Sequence, residues 1–498
     1  MSHAYAKLLE RIKDIGRLQA IEALLEWDQD TFMPPKGVGC RAETSALVAG
    51  LKHEWRTDPQ VGELLGQCSD EDDDPVRATN IRETRRVYER AVKVPTELVK
   101  EIARTAALAK DAWGKAREAS DFGAFAPALS KLLDLKRRQA EHIGYQGEPY
   151  DALLDEWEPG ASTAEIARVF ADLRGQLVPL VRAIADAPKK PDFSILQRHY
   201  PRSIQEDLGR KFAAEMGFDF DAGRLDVSVH PFCTSMGCQD VRFTTRYDEN
   251  YLPGALFGVM HEAGHGLYEQ GLDPDHAFTP MGSFISLGIH ESQSRFWENQ
   301  VGRSRAFWEQ HFPDAQELFP DALKDVALDQ FHAAVNTVTP SLIRVEADEV
   351  TYNLHIIVRF EIEREMLNGT LDVKDIPQAW NARMADLVGI TPPDDRQGCL
   401  QDIHWSMGIF GYFPTYALGN LYAAQFFAAA RKAMPDLDDR IRGGDLLTLR
   451  NWLRTNIHRP GMRYRAGELC RRVTGSALSI EPLMEYVNGK FRPIYGLT

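Results

Sequence analysis

Residues 251–270 read YLPGALFGVMHEAGHGLYEQ. The first ten are nearly all apolar, which favours a helix enclosed by other parts of the protein. His261 and His265 are four residues apart, so a helix places both imidazoles on one face, where they can bind the same metal ion. Glu262 lies about 100° around the helix, where it can reach water at the metal without being a ligand.

Zinc is the metal that this spacing predicts. Zinc lowers the pKa of bound water toward about 7, and a neighbouring glutamate can take the proton as the water attacks a carbonyl carbon. The alternative is an ordinary helix with three polar residues, because a chance H-E-x-x-H is expected in roughly a few per cent of chains of this length. The apolar residues before the motif favour the metal site.

A catalytic zinc ion usually has three protein ligands and one open position, so a third ligand is needed. The metzincin extension requires glycine at 268 and histidine at 271, and the chain has Tyr268 and Gly271, which excludes that branch. The later stretch GIHESQSRFWENQ (288–300) offers Glu291 and Glu298. These two carboxylates are about 10 Å apart along a helix axis, so only one of them can bind the metal.

Two neighbouring side chains are weaker candidates for ligands. Glu269 is roughly 12 Å from His261 along the helix axis, so it cannot share the same metal ion. His290 points to a different helix face from Glu291, and we expect it to orient a ligand through a hydrogen bond.

Helical periodicity dominates the rest of the chain, and helices are predicted over residues 3–25, 38–55, 76–119 and 162–187. The exception is a pair of segments with alternating apolar and polar residues, RLDVSVHPF (224–232) and DVRFTTRYD (240–248). They predict two short strands in one small antiparallel sheet. The second strand could pair with an extended peptide over the metal; the alternative is a purely structural sheet.

The composition excludes several classes of protein. The net charge of −15 argues against a nucleic-acid partner, which needs a basic surface. No apolar run is long enough to span a bilayer and the N-terminus lacks a secretion signal, so we expect no membrane partner and a cytoplasmic location. Six scattered cysteines do not predict a disulfide framework, and a metal clip at Cys233 and Cys238 would lack a second ligand pair.

Several short motifs resemble those of one peptidase family. In chain order they are HPF (230–232), DVRFT (240–244), HEAGH (261–265), HESQ (290–293), IRVEAD (343–348) and GCLQDIHW (398–405). Motifs of this kind, in this order, are the signature of the carboxypeptidase Taq family of metallocarboxypeptidases. The resemblance extends from about residue 20 to beyond residue 420.

The resemblance implies a mainly α fold, a large helical body with a deep central groove similar to neurolysin and angiotensin-converting enzyme. We expect one peptidase unit over residues 1–498, since no linker divides the chain. In that unit, about residues 1–220 would form one groove wall, and residues 221–498 would contain the zinc-binding region and the C-terminal helices.

The resemblance also implies an activity. It implies release of single amino acids from the free C-termini of peptides, with broad side-chain specificity. It implies a homodimer and one Zn²⁺ per chain, for which Co²⁺ can substitute. It selects Glu291 as the third ligand over Glu298.

A carboxypeptidase must recognise a free carboxylate, and the planar guanidinium of arginine suits this task. Arg344 and Arg242 are the candidates, and each has an alternative interpretation as a local ion pair, Arg344 with Asp348 and Arg242 with Asp240. With the resemblance, Arg344 is the expected carboxylate binder and Arg242 a helper or a residue of the substrate wall.

Attack on a peptide carbonyl creates an oxyanion, which a tyrosine hydroxyl or an imidazole N–H can stabilise. The stretch DIHWSMGIFGYFPTY (402–416) supplies His404, Tyr412 and Tyr416. By similarity to the wider group of helical peptidases, Tyr416 is expected to act on the oxyanion, with His404 and Tyr412 assisting. His230 is expected to line the substrate groove.

Two other functions are compatible with a zinc motif. One is a metallo-oligopeptidase, acting as an endopeptidase or a peptidyl-dipeptidase on short peptides. The other is a non-catalytic helical binding protein with a structural zinc ion, although a structural site is usually closed by four protein ligands. The arginines distinguish the first alternative, because a carboxypeptidase needs a cation one residue beyond the scissile bond.

Overall fold

The computed structural model describes residues 3–69 and 71–497. Most of them lie in α-helices, which are α1 (His3–Thr31), α2 (Val38–Thr57), α3 (Pro59–Gly66), α4 (Pro75–Lys93), α5 (Thr96–Ala119), α6 (Phe122–Ile143), α7 (Pro149–Leu154), α8 (Thr163–Asp186), α9 (Arg202–Met216), α10 (Leu252–Gly271), α11 (Leu287–Arg295), α12 (Arg305–Leu318), α13 (Pro320–Leu323), α14 (Leu328–Val335), α15 (Tyr352–Asn368), α16 (Ile376–Leu387), α17 (Pro414–Ala433), α18 (Leu437–Arg442), α19 (Leu446–Leu453), α20 (Ala466–Thr474) and α21 (Glu481–Tyr495). A π-helical turn, Phe296–Gly302, continues α11. The predicted mainly α fold is confirmed.

The predicted helix over residues 76–119 consists of two helices, α4 and α5. Val94, between them, has extended backbone angles of φ −91° and ψ 119°. Proline disfavours the helical conformation of the residue before it, so Pro95 ends the first helix. The predictions over 3–25, 38–55 and 162–187 correspond to α1, α2 and α8.

The sheet has three strands, in the spatial order β1 (Gly223–Val227), β3 (Val241–Thr245) and β2 (Cys233–Ser235). β3 pairs with β1 in parallel and with β2 in antiparallel orientation. The predicted antiparallel sheet is therefore corrected to a mixed one. The physical reason is that the connection between the two predicted strands itself folds back as β2, so that β3 runs in the same direction as β1.

The middle position of β3 also changes which strand can meet a peptide. β3 is paired on both sides, whereas β2 is an edge strand and residues 231–238, which include it, line a large groove. β2, rather than the predicted 240–248 segment, is thus the edge available to an extended peptide.

Two glycines allow the helices around the groove to approach closely. A Cβ atom at Gly264 of α10 would lie 2.7 Å from the carbonyl oxygen of Gln293 in α11. A Cβ atom at Gly419 of α17 would lie 2.4 Å from Cγ of Glu291. Both distances are shorter than van der Waals contact, so any larger residue would push these helices apart. The helices α10, α11 and α17 therefore meet tightly at Glu291.

The groove has a volume of about 1470 Å³ and is lined by residues from both halves of the chain. Its lining includes the α1 face from Ile12 to Glu26 and residues of α10 and α11. None of the helices described within residues 3–69 and 71–497 has the length and apolar character needed to cross a membrane. The six cysteines are free thiols.

Candidate active site

Three side chains that line the groove, His261, His265 and Glu291, converge. Nε2 of His261 and Nε2 of His265 lie 3.7 Å and 3.4 Å from the same carboxylate oxygen, Oε2 of Glu291. In a tetrahedral zinc site with bonds near 2.1 Å, neighbouring ligand atoms are about 3.4 Å apart. The donor set therefore fits a zinc ion. Within residues 3–69 and 71–497 it is the one group of this kind, and it does not include Cys233 or Cys238.

The protonation states of these groups also suit metal binding. Burial lowers the pKa of His265 to about 3, so its imidazole is neutral and keeps a lone pair for a metal. Burial opposes ionisation of Glu291, but the charges of Arg295 and His261 outweigh it and hold the pKa of this carboxyl well below its usual range. Burial would lower the pKa of His261, but the carboxylates of Glu291 and Glu298 raise it, so a metal ion that binds this imidazole displaces a proton. Two imidazoles and one carboxylate form a typical set of ligands for catalytic zinc.

Arg295 and Glu298 hold two of the ligands, Glu291 and His261, through hydrogen bonds. Nε of Arg295 donates to Oε1 of Glu291 at 2.7 Å, and its NH1 donates to Oε2 of Glu298 at 3.0 Å. Glu298 accepts from Nδ1 of His261 at 2.9 Å. The π-helical turn that follows α11 carries Glu298. Its carboxylate thus contacts the far side of a ligand imidazole instead of completing the metal site.

Glu262 lies next to the ligands without being one of them. Its side chain is buried, and it lines the groove together with His261 and His265. Burial raises the pKa of Glu262 to about 7. A carboxylate beside the metal ligands but outside their set is placed to exchange a proton with water in the groove.

His290 and Glu269 support the second imidazole. The ring of His290 stacks on His265, with centroids 4.5 Å apart, and its Nε2 is 3.0 Å from Oε1 of Glu269. These contacts differ from the predicted one, because His290 stacks on the ligand His265 whereas its hydrogen bond goes to Glu269, which is not a ligand. They also show Glu269 to be a buried partner of His290, outside the metal-binding group.

Arg344 has a different ion-pair partner from the one expected. Its Nε and NH2 donate to Oδ1 of Asp402 at 2.9 Å and 2.8 Å, and its NH1 donates to the hydroxyl of Tyr352 at 2.9 Å. Asp348 instead accepts from Thr351 and adjacent backbone N–H groups at the start of α15. Arg344 is buried yet lines the groove. It is therefore a firmly held cation that borders the same space as the three donor side chains.

Arg242 is placed away from that space. It forms a two-fold hydrogen-bonded ion pair with Asp240, both distances 2.8 Å, and its guanidinium lies 4.2 Å from the ring centroid of Trp27 in α1. It is not among the residues that line the groove, whereas His230 is. The ion-pair interpretation describes its contacts in this structure, and a role as substrate helper stays a prediction.

The three residues predicted to act on the oxyanion lie close together; Tyr412 and Tyr416 line the groove, and His404 is not among its lining residues. The hydroxyl of Tyr416 is 3.4 Å from Nε2 of His404, and the rings of Tyr412 and Tyr416 are 5.3 Å apart. Burial raises the pKa of Tyr412 to about 12 and that of Tyr416 well above its usual value. Burial lowers the pKa of His404 to about 4. Both hydroxyls therefore keep their protons at neutral pH and can donate hydrogen bonds, and His404 is uncharged.

Comparison with known proteins agrees with this site. The chain matches the family model for the carboxypeptidase Taq (M32) metallopeptidases over residues 7–491. The chain belongs to this family. It is 45% identical to thermostable carboxypeptidase 1 of Thermus thermophilus over 506 aligned positions, with 99% of each chain covered. It is 38% identical to carboxypeptidase 1 of Bacillus subtilis, again with 99% of each chain covered.

Solved structures show the same fold. The M32 carboxypeptidase of Deinococcus radiodurans R1 matches with a TM-score of 0.97 and 42% identity over 100% of both chains. A carboxypeptidase of Pyrococcus furiosus matches with a TM-score of 0.95 and 35% identity, with 99% of each chain covered. The protein is thus an M32 metallocarboxypeptidase, which acts on peptides and uses a metal cofactor.

Sequence reasoning missed three features of this M32 site. Arg295 lies four residues after Glu291 on the same helix, an ion-pair spacing that was readable from the sequence. Asp402 is 58 residues from its partner Arg344, so no local pattern indicates that pair. Trp157 and Glu158, which contact the start of α11, also carry no recognisable motif.

Proposed function

We propose that this M32 carboxypeptidase binds one Zn²⁺ through His261, His265 and Glu291 and uses Glu262 as its general base. The observation that supports this proposal is the convergence of three donor atoms on the groove, with Glu262 beside them and outside the set. A bound zinc ion supplies Lewis acidity, which polarises the scissile carbonyl and makes water more acidic. Co²⁺ is expected to substitute, because it accepts the same nitrogen and oxygen ligands.

Glu262 carries the proton in this mechanism. Its carboxylate takes a proton from the attacking water and then donates it to the amine of the leaving amino acid. The burial of Glu262 in the groove wall keeps it close to both reacting groups and away from bulk solvent. No other carboxylate in the described groove lies next to the ligand histidines without an ion pair or hydrogen-bond partner of its own.

Arg344 is the residue that we propose for recognition of the substrate's C-terminal carboxylate. Its contacts with Asp402 and Tyr352 hold the guanidinium in place before the substrate binds. The guanidinium carbon of Arg344 lies 4.9 Å from the ring centroid of Tyr416, so the cation and the main proposed oxyanion donor are neighbours. A fixed cation costs less conformational entropy on binding than a mobile one. Arg242 and His230 remain proposed helpers.

We assign the oxyanion that forms at the scissile carbonyl to donors on the same side of the groove as Arg344. Tyr416 is the proposed main donor, with Tyr412 and His404 assisting. Because both tyrosine hydroxyls stay protonated and are held in a buried cluster, they require little reorganisation as the negative charge develops.

The experiment that tests this function compares two peptides of the same sequence, one with a free C-terminal carboxylate and one amidated. Mass spectrometry should show stepwise loss of single C-terminal residues from the free acid, abolished by a chelator and restored by Zn²⁺. Arg344→Ala should slow the free acid more than Arg344→Lys does and should leave the slow amide reaction unchanged. Equal loss on both peptides would refute the role of Arg344. Internal cleavage, or release of dipeptides, would favour the oligopeptidase alternative.

The remaining expectations concern organisation and location. We propose one peptidase unit over residues 1–498, a homodimer and a cytoplasmic enzyme. Both halves of the chain line the groove, which supports the single unit. Light scattering of the purified protein measures the oligomeric state, and a monomer across the micromolar range would contradict the dimer.

A further inference from the structure

Glu158 is a buried carboxylate without a basic partner. Its side chain is 2% exposed. Within residues 3–69 and 71–497 it forms no ion pair; its contacts are hydrogen bonds from Ser286 and Gly288. Burial raises the pKa of Glu158 to about 7. Burying a carboxyl group without a basic partner costs free energy, which its hydrogen bonds must offset.

All of those contacts are with the start of α11, the helix that carries Glu291. Oε1 of Glu158 accepts from the hydroxyl of Ser286 at 2.8 Å, and Oε2 accepts from the backbone N–H of Gly288 at 3.0 Å. The carbonyl oxygen of the preceding residue, Trp157, accepts from the N–H of Leu287 at 3.0 Å. Trp157 and Glu158 therefore accept hydrogen bonds from three consecutive residues, 286–288, at the N-terminus of α11.

The carboxyl group of Glu158 also packs closely against the start of α11. A Cβ atom at Gly288 would lie 2.7 Å from Oε2 of Glu158, so the carboxyl group rests directly against the helix backbone. Ser286, the N-cap of α11, accepts at the same time from the N–H of Ile289 at 3.2 Å. The helix start is thus fixed in both translation and rotation by a segment that is distant in the chain.

The same segment also contacts the loop that carries Tyr412, one of the proposed oxyanion residues. The indole N–H of Trp157 donates to the carbonyl oxygen of Phe410 at 2.9 Å. Its ring packs edge-on against Tyr412, with centroids 5.1 Å apart. Residues 157 and 158 therefore connect the helix of Glu291 to the loop of Tyr412.

We infer that Glu158 is a positioning residue for the metal site, which sets the place of α11 and hence of Glu291 relative to His261 and His265. This inference rests on the proposed role of Glu291 as a metal ligand. Metal–ligand distances must be correct to within about 0.2 Å, so a small shift of α11 is enough to weaken metal binding. The position of α11 thus determines the affinity for zinc.

The test measures zinc affinity by competition with a chromophoric chelator, together with the thermal unfolding of the apo-protein. Glu158→Ala is expected to weaken zinc binding about tenfold or more, the size of effect seen when outer partners of metal ligands are removed. Glu158→Gln is expected to restore affinity to within about threefold of the parent, because its amide spans the same gap and can pair with both Gly288 and the Ser286 hydroxyl.

Glu363→Ala is the matched control. Glu363 is also buried, forms no ion pair among the described residues, and accepts hydrogen bonds from Tyr150, Trp405 and Gly411. Its removal is expected to destabilise the apo-protein in a similar way but to leave zinc affinity within about threefold of the parent, since none of these three hydrogen bonds goes to α10 or α11.

Each outcome has one meaning. Weakened zinc binding in Glu158→Ala, with recovery in Glu158→Gln and no effect of Glu363→Ala, supports the inference. Unchanged zinc affinity in a folded Glu158→Ala overturns it, as does an equal loss in Glu363→Ala. If the alanine variant does not fold, Glu158→Asp, which keeps the charge but is one methylene shorter, is measured by the same criteria. If Glu291→Ala itself leaves zinc affinity unchanged, the proposed ligand set fails instead.

Discussion

Glu298 and His261 form a hydrogen bond of 2.9 Å between Oε2 and Nδ1, the imidazole nitrogen that does not face Glu291. The other nitrogen, Nε2, faces Oε2 of Glu291 at 3.7 Å. A hydrogen bond at one ring nitrogen fixes both the orientation of the ring and the tautomer that leaves the other nitrogen free for a metal. The two carboxylates that were alternatives in the sequence therefore occupy opposite sides of one imidazole.

The first prediction follows from this arrangement. Glu298→Ala should weaken zinc binding by about 10–100-fold, because it removes the partner that orients His261. Glu291→Ala should weaken it further, because it removes one of three proposed ligands. Isothermal titration or chelator competition on the apo-proteins measures both. A larger loss in Glu298→Ala than in Glu291→Ala would exchange the roles of the two residues.

The second prediction separates metal binding from proton transfer. Glu262→Gln should retain one zinc ion per chain, because Glu262 lies outside the ligand set. Its turnover should fall by about 10²–10⁴-fold, the usual contribution of a general base. Metal analysis and peptide hydrolysis on the same preparation provide the two readouts. Loss of zinc in this variant would mean that Glu262 is a ligand.

The parts of this site that could be predicted are those whose residues lie close together in the sequence. His261, His265 and Glu262 lie on one helix, so helical geometry alone relates them. Glu291 and Glu298 could not be separated by spacing, because the answer depends on how α11 packs against α10 and on a π-helical turn. Such packing is a tertiary property with no local pattern.

The same reasoning explains the remaining differences. The partner of Arg344 is Asp402, distant in sequence, whereas the alternative partner Asp348 accepts hydrogen bonds from Val350 and Thr351, just before α15. The helical fold was predictable because apolar residues repeat at helical spacing over long stretches. The sheet direction was not, because a three-residue strand, β2, is too short to give a pattern and yet determines the direction of β3.

The third prediction concerns the oxyanion. Tyr416→Phe removes one hydroxyl and keeps the ring packing, so kcat should fall by about 10²-fold or more while KM changes little. Tyr412→Phe should have a smaller effect on kcat, and it serves as the matched control because its hydroxyl is in the same buried cluster. Steady-state kinetics on one peptide measures both. A greater loss of kcat in Tyr412→Phe would transfer the main role to Tyr412.

The fourth prediction is a dependence of stability on pH that arises from Glu363. Burial raises the pKa of this carboxyl to about 7, although the hydroxyl of Tyr150, the indole of Trp405 and the N–H of Gly411 donate to it. In the unfolded chain the pKa is near 4.5. Between these values the folded protein retains a proton that the unfolded chain has lost. The stabilisation is therefore complete below about pH 4.5 and decreases as the pH rises to about 7.

A Glu363→Gln variant isolates this contribution, because glutamine does not titrate. The free energy of unfolding of the parent, measured by urea denaturation, should fall relative to that of Glu363→Gln between pH 5 and pH 8, by an amount on the order of 3 kcal/mol at most. The comparison cancels the titration of all other groups that the two proteins share. A constant difference across this range would show that Glu363 is ionised in the folded protein, which would mean that its three hydrogen-bond donors outweigh the cost of burial.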